Sequence, residues 1–366
     1  MTPMPFSSDP RKAKRKKNMM MTRNTTPRAL GLVLGATTGL MSAVPALALE
    51  YGPFTAEISV EIENDTVVDA SDPALEISDT YATIEAAIAM AIGTSSSLNL
   101  GLTFEPIIDA TRDRAFEDHG LYAEEFYFNH DFGAAEIILG KFNPAFGVAW
   151  DEAPGVFGTD FAEDYQLTEQ IGGAVLIPFD IGASNNYLSV ALFNADRSIL
   201  SKSLGRRRGQ NSLPVGGVGN TSGPESIAVS LNGEIGETTY NIGVQNLARG
   251  AGDTHDQTGA VIGMAHTYDL GRPVALLAEM AYFTDFGGTS ASARYGTVGL
   301  AAPFGPVTMS AVYTNRDIEG ARTDHLATLA GEVELATNLF ASLGYRYGFE
   351  DGDETHTIGT VIAYQF

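Results

Sequence analysis

The amino-acid sequence predicts an all-β protein, a transmembrane antiparallel β-barrel of about sixteen strands. Three observations predict it. Apolar and polar residues alternate with period two over segments of roughly eight to twelve residues, which gives strands one apolar face and one mixed face. The connections between those segments alternate between short and mostly longer. The composition, with 40 Gly and 14 Tyr, argues against a helical bundle. Outside the N-terminus no run reaches the ~20 apolar residues of a membrane helix, although 44% of the chain is apolar.

The first element is a leader. Residues 1–48 hold eight basic residues and one acid, Asp9. Arg23 and Arg28 precede the uncharged stretch Ala29–Ala48 (ALGLVLGATTGLMSAVPALA). Ala46-Leu47-Ala48 fits the small-x-small cleavage rule, and Pro45 ends any helix just before it. Residues 1–48 therefore read as an export signal peptide and 49–366 as the barrel, with a retained anchor as the alternative. The basic run Arg11–Lys17 lies upstream of Met19-Met20-Met21. Starting at Met21 leaves a signal of ordinary length, so Met21 reads as the true start.

The strands follow. Phe54, Ala56, Ile58, Val60 and Ile62 alternate with Thr55, Glu57, Ser59 and Glu61. Leu98, Leu100, Leu102 and Phe104 do the same, as do Leu188, Val190 and Leu192. Further segments begin near Thr80, Gly120, Gly133, Tyr165, Glu225, Glu237, Gln257, Arg272, Ser290, Gly305, Thr323, Asn338 and Thr355. The short connections are Gly93–Ser96, Asn129–Phe132, Asp180–Ala183, Gly233–Gly236, Asp269–Arg272, Pro303–Pro306 and Ala336–Asn338. The others are Glu63–Asp79, Ile107–His119, Phe142–Asp164, Asn194–Pro224, Ala248–Asp256, Gly287–Thr289, Asn315–Arg322 and Phe349–Glu354. Lipid cannot satisfy free backbone groups, so a sheet that spans it must close, and an even strand count with segregated loop lengths is how such barrels are built. Phe104, Tyr282, Tyr313, Tyr364 and Phe366 are expected near the interfaces.

The last segment places Ile358, Ile362, Tyr364 and Phe366 on one parity and ends in an aromatic residue. With the leader and the strand pattern, it resembles the Gram-negative outer-membrane general porins over nearly all of residues 49–366. The resemblance is one of pattern, without a long identical motif. It implies an outer-membrane location, with lipid and lipopolysaccharide around the barrel. It implies recognition of Tyr364 and Phe366 by the barrel-insertion machinery, and a homotrimer. It also implies that the loop after the fifth strand (Ala134–Lys141) folds back and narrows a pore. That loop, FNPAFGVAWDEAPGVFGTDFAEDYQ, carries the only tryptophan, Trp150, with Asp151, Glu152, Asp160, Glu163 and Asp164. These are the candidate constriction residues. The alternative is an exposed loop that its acids solvate.

In that family, basic wall residues face such a loop and the transverse field selects ions. Here the candidates are Arg206-Arg207-Arg208, Arg294 and Arg346. Arg346 shares the parity of Phe340, Ser342 and Gly344. Arg294 points inward if Tyr295 faces lipid. Arg206–Arg208 read equally well as an outer-loop patch on lipopolysaccharide phosphates. Lys141, on the parity of Ile137 and Leu139, reads as a rim residue. Glu57, Glu61, Glu85 and Glu279 share the lumen parity and outnumber the basic residues of the strands. A water-filled pore for ions and small hydrophilic solutes, preferring cations, is the expected function.

Beyond residue 48 the chain carries 14 basic against 44 acidic residues, a net charge of −30, which excludes a nucleic-acid partner. The absence of cysteine excludes a disulfide framework, a thiolate zinc site and a cysteine nucleophile. No cofactor or metal is expected, since the six histidines are scattered and none has zincin spacing. No catalysis is expected either. Asp324-His325 and Asp253 with His255 are the nearest pairs for a barrel enzyme. A sugar- or anion-selective channel and a structural barrel are further alternatives. A siderophore transporter is not expected, because Leu49–Pro53 leaves no room for a plug.

Overall fold

The computed structural model describes residues 49–366. The leader, its cleavage site and the Met21 start lie outside the described residues. Sixteen long strands follow one another in chain order. They are β1 Phe54–Ala70, β2 Ser78–Ile92, β3 Ser96–Pro106, β4 His119–Asp131, β5 Glu136–Phe142 and β6 Gln170–Ile181. Next come β7 Ser184–Ala195, β8 Ser226–Ile235, β9 Thr238–Leu247, β10 Gln257–Asp269 and β11 Pro273–Thr284. The last are β12 Ala293–Phe304, β13 Val307–Ile318, β14 Thr323–Ala336, β15 Leu339–Glu350 and β16 Asp353–Gln365. Each long strand pairs antiparallel with the next, and β16 returns to β1 through Gln365↔Ser59, Ile362↔Ile62 and Thr355↔Ala70. The barrel is closed, as lipid requires.

Both ends of the described chain lie at one rim, where every connection is a tight turn, and the longer connections all lie at the other. The strands run further than the apolar pattern alone suggested. β1 continues through Glu63 to Ala70, so the first loop is only 71–77. The last two outer connections shrink to 319–322 and 351–352. The second of these is Asp351-Gly352, with both φ positive (54° and 98°), the geometry of a tight hairpin turn. The sixth strand starts at Gln170, and Tyr165 belongs to the preceding loop.

Outward positions carry Ile62, Ile262, Met280, Val298, Leu329 and Leu343, large apolar side chains left exposed for lipid. Phe104, Tyr282 and Tyr313 sit toward the loop rim and Tyr364 and Phe366 at the turn rim, where the last two meet edge to face. The apolar core is not between sheets. It lies inside the barrel, where loop residues Phe146, Trp150, Phe161 and Tyr165 pack on Phe193, Val261, Leu277, Phe283 and Tyr295 of the inner wall.

Candidate functional site

The loop between β5 and β6, residues 143–169, folds into the barrel. Its root is closed by Asn143. The Asn143 main-chain amide donates to Glu125 (3.2 Å), its side-chain Nδ2 donates to Glu124 (2.9 Å), and its side-chain Oδ1 accepts from the Glu169 main-chain amide (2.7 Å). The chain then crosses to β9–β11. The Gly147 amide donates to Asn241 Oδ1 (3.0 Å). Glu279 accepts from the Val148 amide, the Ala149 amide (3.1 Å) and the Tyr165 hydroxyl (2.6 Å). It thus satisfies the first amides of the short helix α1, Ala149–Glu152.

The tip travels on to β14–β16, where Val156 and Phe157 pack on Ala330, Phe340, Val361 and Ala363. Small inward residues make the trough. A Cβ at Gly344 would lie 2.6 Å from Val156 Cβ, one at Gly263 would strike Glu279 and Val148, and one at Gly359 would strike Phe157. Each buried aromatic of the loop contributes roughly 1.5–3 kcal/mol of apolar burial.

On its return the loop is pinned by two wall arginines. Arg346 Nη1 donates to Asp160 Oδ2 (2.7 Å) and its guanidinium lies 5.2 Å from the Phe157 ring. Arg316 Nη1 donates to Asp164 Oδ2 (2.8 Å), and its other edge holds Asp324 (2.9 and 2.7 Å). The Arg316 guanidinium also lies 4.5 Å from the Phe161 ring, and Tyr295 OH donates to Asp164 (3.1 Å).

Before the tip, at the end of α1, Asp151 and Glu152 lie within electrostatic reach of Glu234 of β8. Burial, then Asp151 and Glu234, push the Glu152 carboxyl up to about 8. The opposite wall, β1 and β2, carries Glu57, Glu61, Glu63 and Glu85 on its inward parity, with Glu61 and Glu63 buried and Glu57 and Glu85 part-exposed.

No family model and no curated protein matches the chain. Its barrel is similar to solved outer-membrane structures. One is the channel DcaP of Acinetobacter baumannii, with a TM-score of 0.56 and 11% identity over 86% of this chain and 97% of that one. Another is OmpF of Salmonella typhi in complex with daunomycin, with a TM-score of 0.58 and 12% identity over 86% and 97%. A third is a loop L8 deletion mutant of OmpT of Vibrio cholerae, with a TM-score of 0.53 and 10% identity over 86% and 100%.

The chain has the porin fold.

Within this porin fold the site residues fall into three groups, two expected from the sequence and one not. The first group is brought together inside the barrel: Trp150, Asp151, Glu152, Asp160, Glu163 and Asp164 on the loop, with Arg346 on the wall. Asp160 and Asp164 face the wall they pack on, however, and pair with Arg346 and Arg316. They do not look across the lumen at basic residues. Glu279 has the expected parity but is covered by the loop it anchors.

The second group lies elsewhere. Arg294 points outward, over the Tyr282 ring (5.9 Å), because Tyr295 takes the inward position beneath the loop, packing on Tyr165 and Phe283. A one-residue change of parity exchanges the two faces of a strand. Arg206 and Arg207 are exposed in the outer loop 196–225, with Arg206 paired to Asp118 (3.2 Å). They are not wall residues. Arg208 alone turns inward, stacking 3.8 Å over Tyr122 and gripping Glu169 with both terminal nitrogens.

Lys141 is fully buried at the loop root, on Glu169 and Asp196 (2.8 Å each). Burial alone would raise the Glu169 carboxyl, but the hydrogen bonds and charges of Arg208 and Lys141 outweigh it and hold it below the usual range. The third group was missed from sequence: Arg316, Asp324, Asn241 and Tyr295. Parity could have found Arg316, which is inward once Tyr313 is assigned to lipid.

The two Asp–His pairs do not form. Asp324 faces inward on Arg316, and the outward His325 contacts the Tyr313 hydroxyl (2.7 Å). Asp253 accepts from the Gly250 amide (2.8 Å), while His255 lies 3.8 Å from Asp285.

Proposed function

We propose that this chain is an outer-membrane porin, a water-filled channel through which ions and small hydrophilic solutes diffuse passively, with a preference for cations. It performs no chemistry and resides in the bacterial outer membrane. One observation carries the cation preference. The inward arginines are all paired, Arg316 and Arg346 beneath the folded-in loop, Arg208 on Glu169 and Arg114 on Asp79, so carboxylates border the open lumen on both sides. Asp151, Glu152 and Glu163 belong to the loop side, and Glu57 and Glu85 to the wall side. In a narrow channel such charges concentrate counter-ions and set ion preference.

The reversal potential in planar bilayers under a salt gradient tests this reading. A cation-selective potential is expected, and clear anion selectivity overturns it. Conductance with sugars or peptides of graded size defines the width, and the absence of conductance favours a structural barrel. Arg206, Arg207 and Arg294 at the loop rim suit lipopolysaccharide phosphates. Tyr364 and Phe366 at the turn rim suit recognition by the insertion machinery. Export with cleavage after Ala48 and a trimeric assembly complete the proposal.

A further inference from the structure

At the loop rim of the barrel, a cavity of about 100 Å³ opens off the lumen between β1, β2, β16, loop 107–118 and the tip of the folded-in loop. Its lining is mostly apolar: Val67, Leu75, Ile77, Pro106, Ala110 and Phe157. Two polar groups in this lining are unusual. Arg346 and Thr357 sit directly opposite each other on β15 and β16. Arg346 Nε and Thr357 Oγ1 are both buried and both lack a hydrogen-bond partner. Leaving a buried donor without a partner forfeits its hydration with nothing in return, so two side by side mark a place built for an acceptor.

The charge around them narrows what that acceptor is. Asp160, Glu350 and Asp65 surround the Arg346 guanidinium, and Asp79 and Asp109 also line the cavity. The other basic residue of the lining, Arg114, is already engaged by Asp79 at 2.7 Å through two nitrogens. A bare anion would meet this excess of carboxylates. A carboxylate that brings its own ammonium would not.

We propose that this cavity is a subsite for zwitterionic α-amino acids with apolar side chains. The solute carboxylate accepts from Arg346 Nε and Thr357 Oγ1. The solute ammonium lies toward the aspartates, and the side chain rests among Leu75, Ile77 and Phe157. The assignment deepens the channel reading by naming a solute class, and its test is made separable from that reading.

Calorimetric titration of the detergent-solubilised protein with L-leucine is the first measurement. L-leucinamide, which lacks the carboxylate, 4-methylpentanoate, which lacks the ammonium, and glucose serve as comparisons. Leucine is expected to bind at least tenfold more tightly than any of the three. Ala110→Trp, which fills the cavity, should abolish leucine binding, and the isosteric Thr357→Val should weaken it several-fold. Equal binding of leucine and leucinamide overturns the carboxylate site. Equal binding of leucine and 4-methylpentanoate overturns the zwitterion. Leucine binding undiminished in both variants, or no leucine binding at all, overturns the location or the site itself. A channel that conducts potassium chloride but shows none of these preferences defeats only this inference. A protein that binds leucine but does not conduct defeats only the channel.

Discussion

Arg316 shows how a single residue holds the folded-in loop. Its side chain is 9% exposed and lies among Asp164, Asp324 and Glu350. Removing one partner of a buried charge cluster is far more costly than the net worth of the cluster, because the remaining charges stay desolvated. Arg316→Met should therefore destabilise the protein by about 3–5 kcal/mol. Trp150, the only tryptophan and itself buried in the loop, reports this directly through its emission during urea unfolding.

Glu152 gives a second prediction at this scale. Its carboxyl is raised to about 8, so it is neutral below that pH and charged above it. Cation selectivity should rise between pH 7 and 9 and stay flat in Glu152→Gln. One charge at short range in a water-like medium is worth about 1 kcal/mol, so the rise should not exceed roughly fivefold. Reversal potentials recorded across that pH range check it.

At the scale of elements, the strands were legible in the sequence and the seating of the loop was not. Alternation is a local signal, so β3, β7 and β16 could be read from a dozen residues each. Arg294 shows its limit: Ala293, Arg294 and Tyr295 give no local clue to which of two large polar residues faces in. The choice is made by Tyr165 and Asp164, more than a hundred positions away, and such pairing leaves no periodic trace. The acidic, aromatic loop was recognisable as unusual, but its partners Glu279, Asn241 and Arg316 come from three separate strands.

The trough of small residues is equally non-local, and it can be tested. Gly344→Leu should drive Val156 out of its place and loosen the loop tip, raising single-channel conductance. Gly331→Ala, whose Cβ would only graze Met309 and Val307 on the outer face, should leave conductance unchanged. The loop root responds to pH instead. Glu169 has a depressed carboxyl, so its stabilisation is present above the unfolded value of about 4.3 and is lost as pH falls through the folded value. Acid should release residues 143–169 before the barrel unfolds. Limited proteolysis should detect that release below about pH 4, and Glu169→Gln should remove its pH dependence.

The net charge of −30 beyond residue 48 describes the whole molecule, but its effect depends on where the charge sits. The lipid face carries almost none of it, so the acids divide between the outer loops and the lumen. Of the lumen basics, Arg316 and Arg346 are pinned beneath the folded-in loop and Arg208 is held at its root. On the proposed channel reading, permeating ions pass between two acidic surfaces, without a transverse field of the acid-against-base kind to orient them. Selectivity of this origin is screened by the permeating salt itself. The Debye length falls from about 10 Å at 0.1 M to about 3 Å at 1 M, which is shorter than the width of a hydrated channel. The cation-to-anion permeability ratio should therefore decline steadily as the mean salt concentration rises. Glu57→Gln with Glu85→Gln, on the open wall, should lower the ratio at 0.1 M and have little effect at 1 M. Reversal potentials at fixed gradient and increasing mean concentration measure both. A ratio independent of salt would mean that a few desolvated contacts discriminate between ions, in place of the summed field of the two walls.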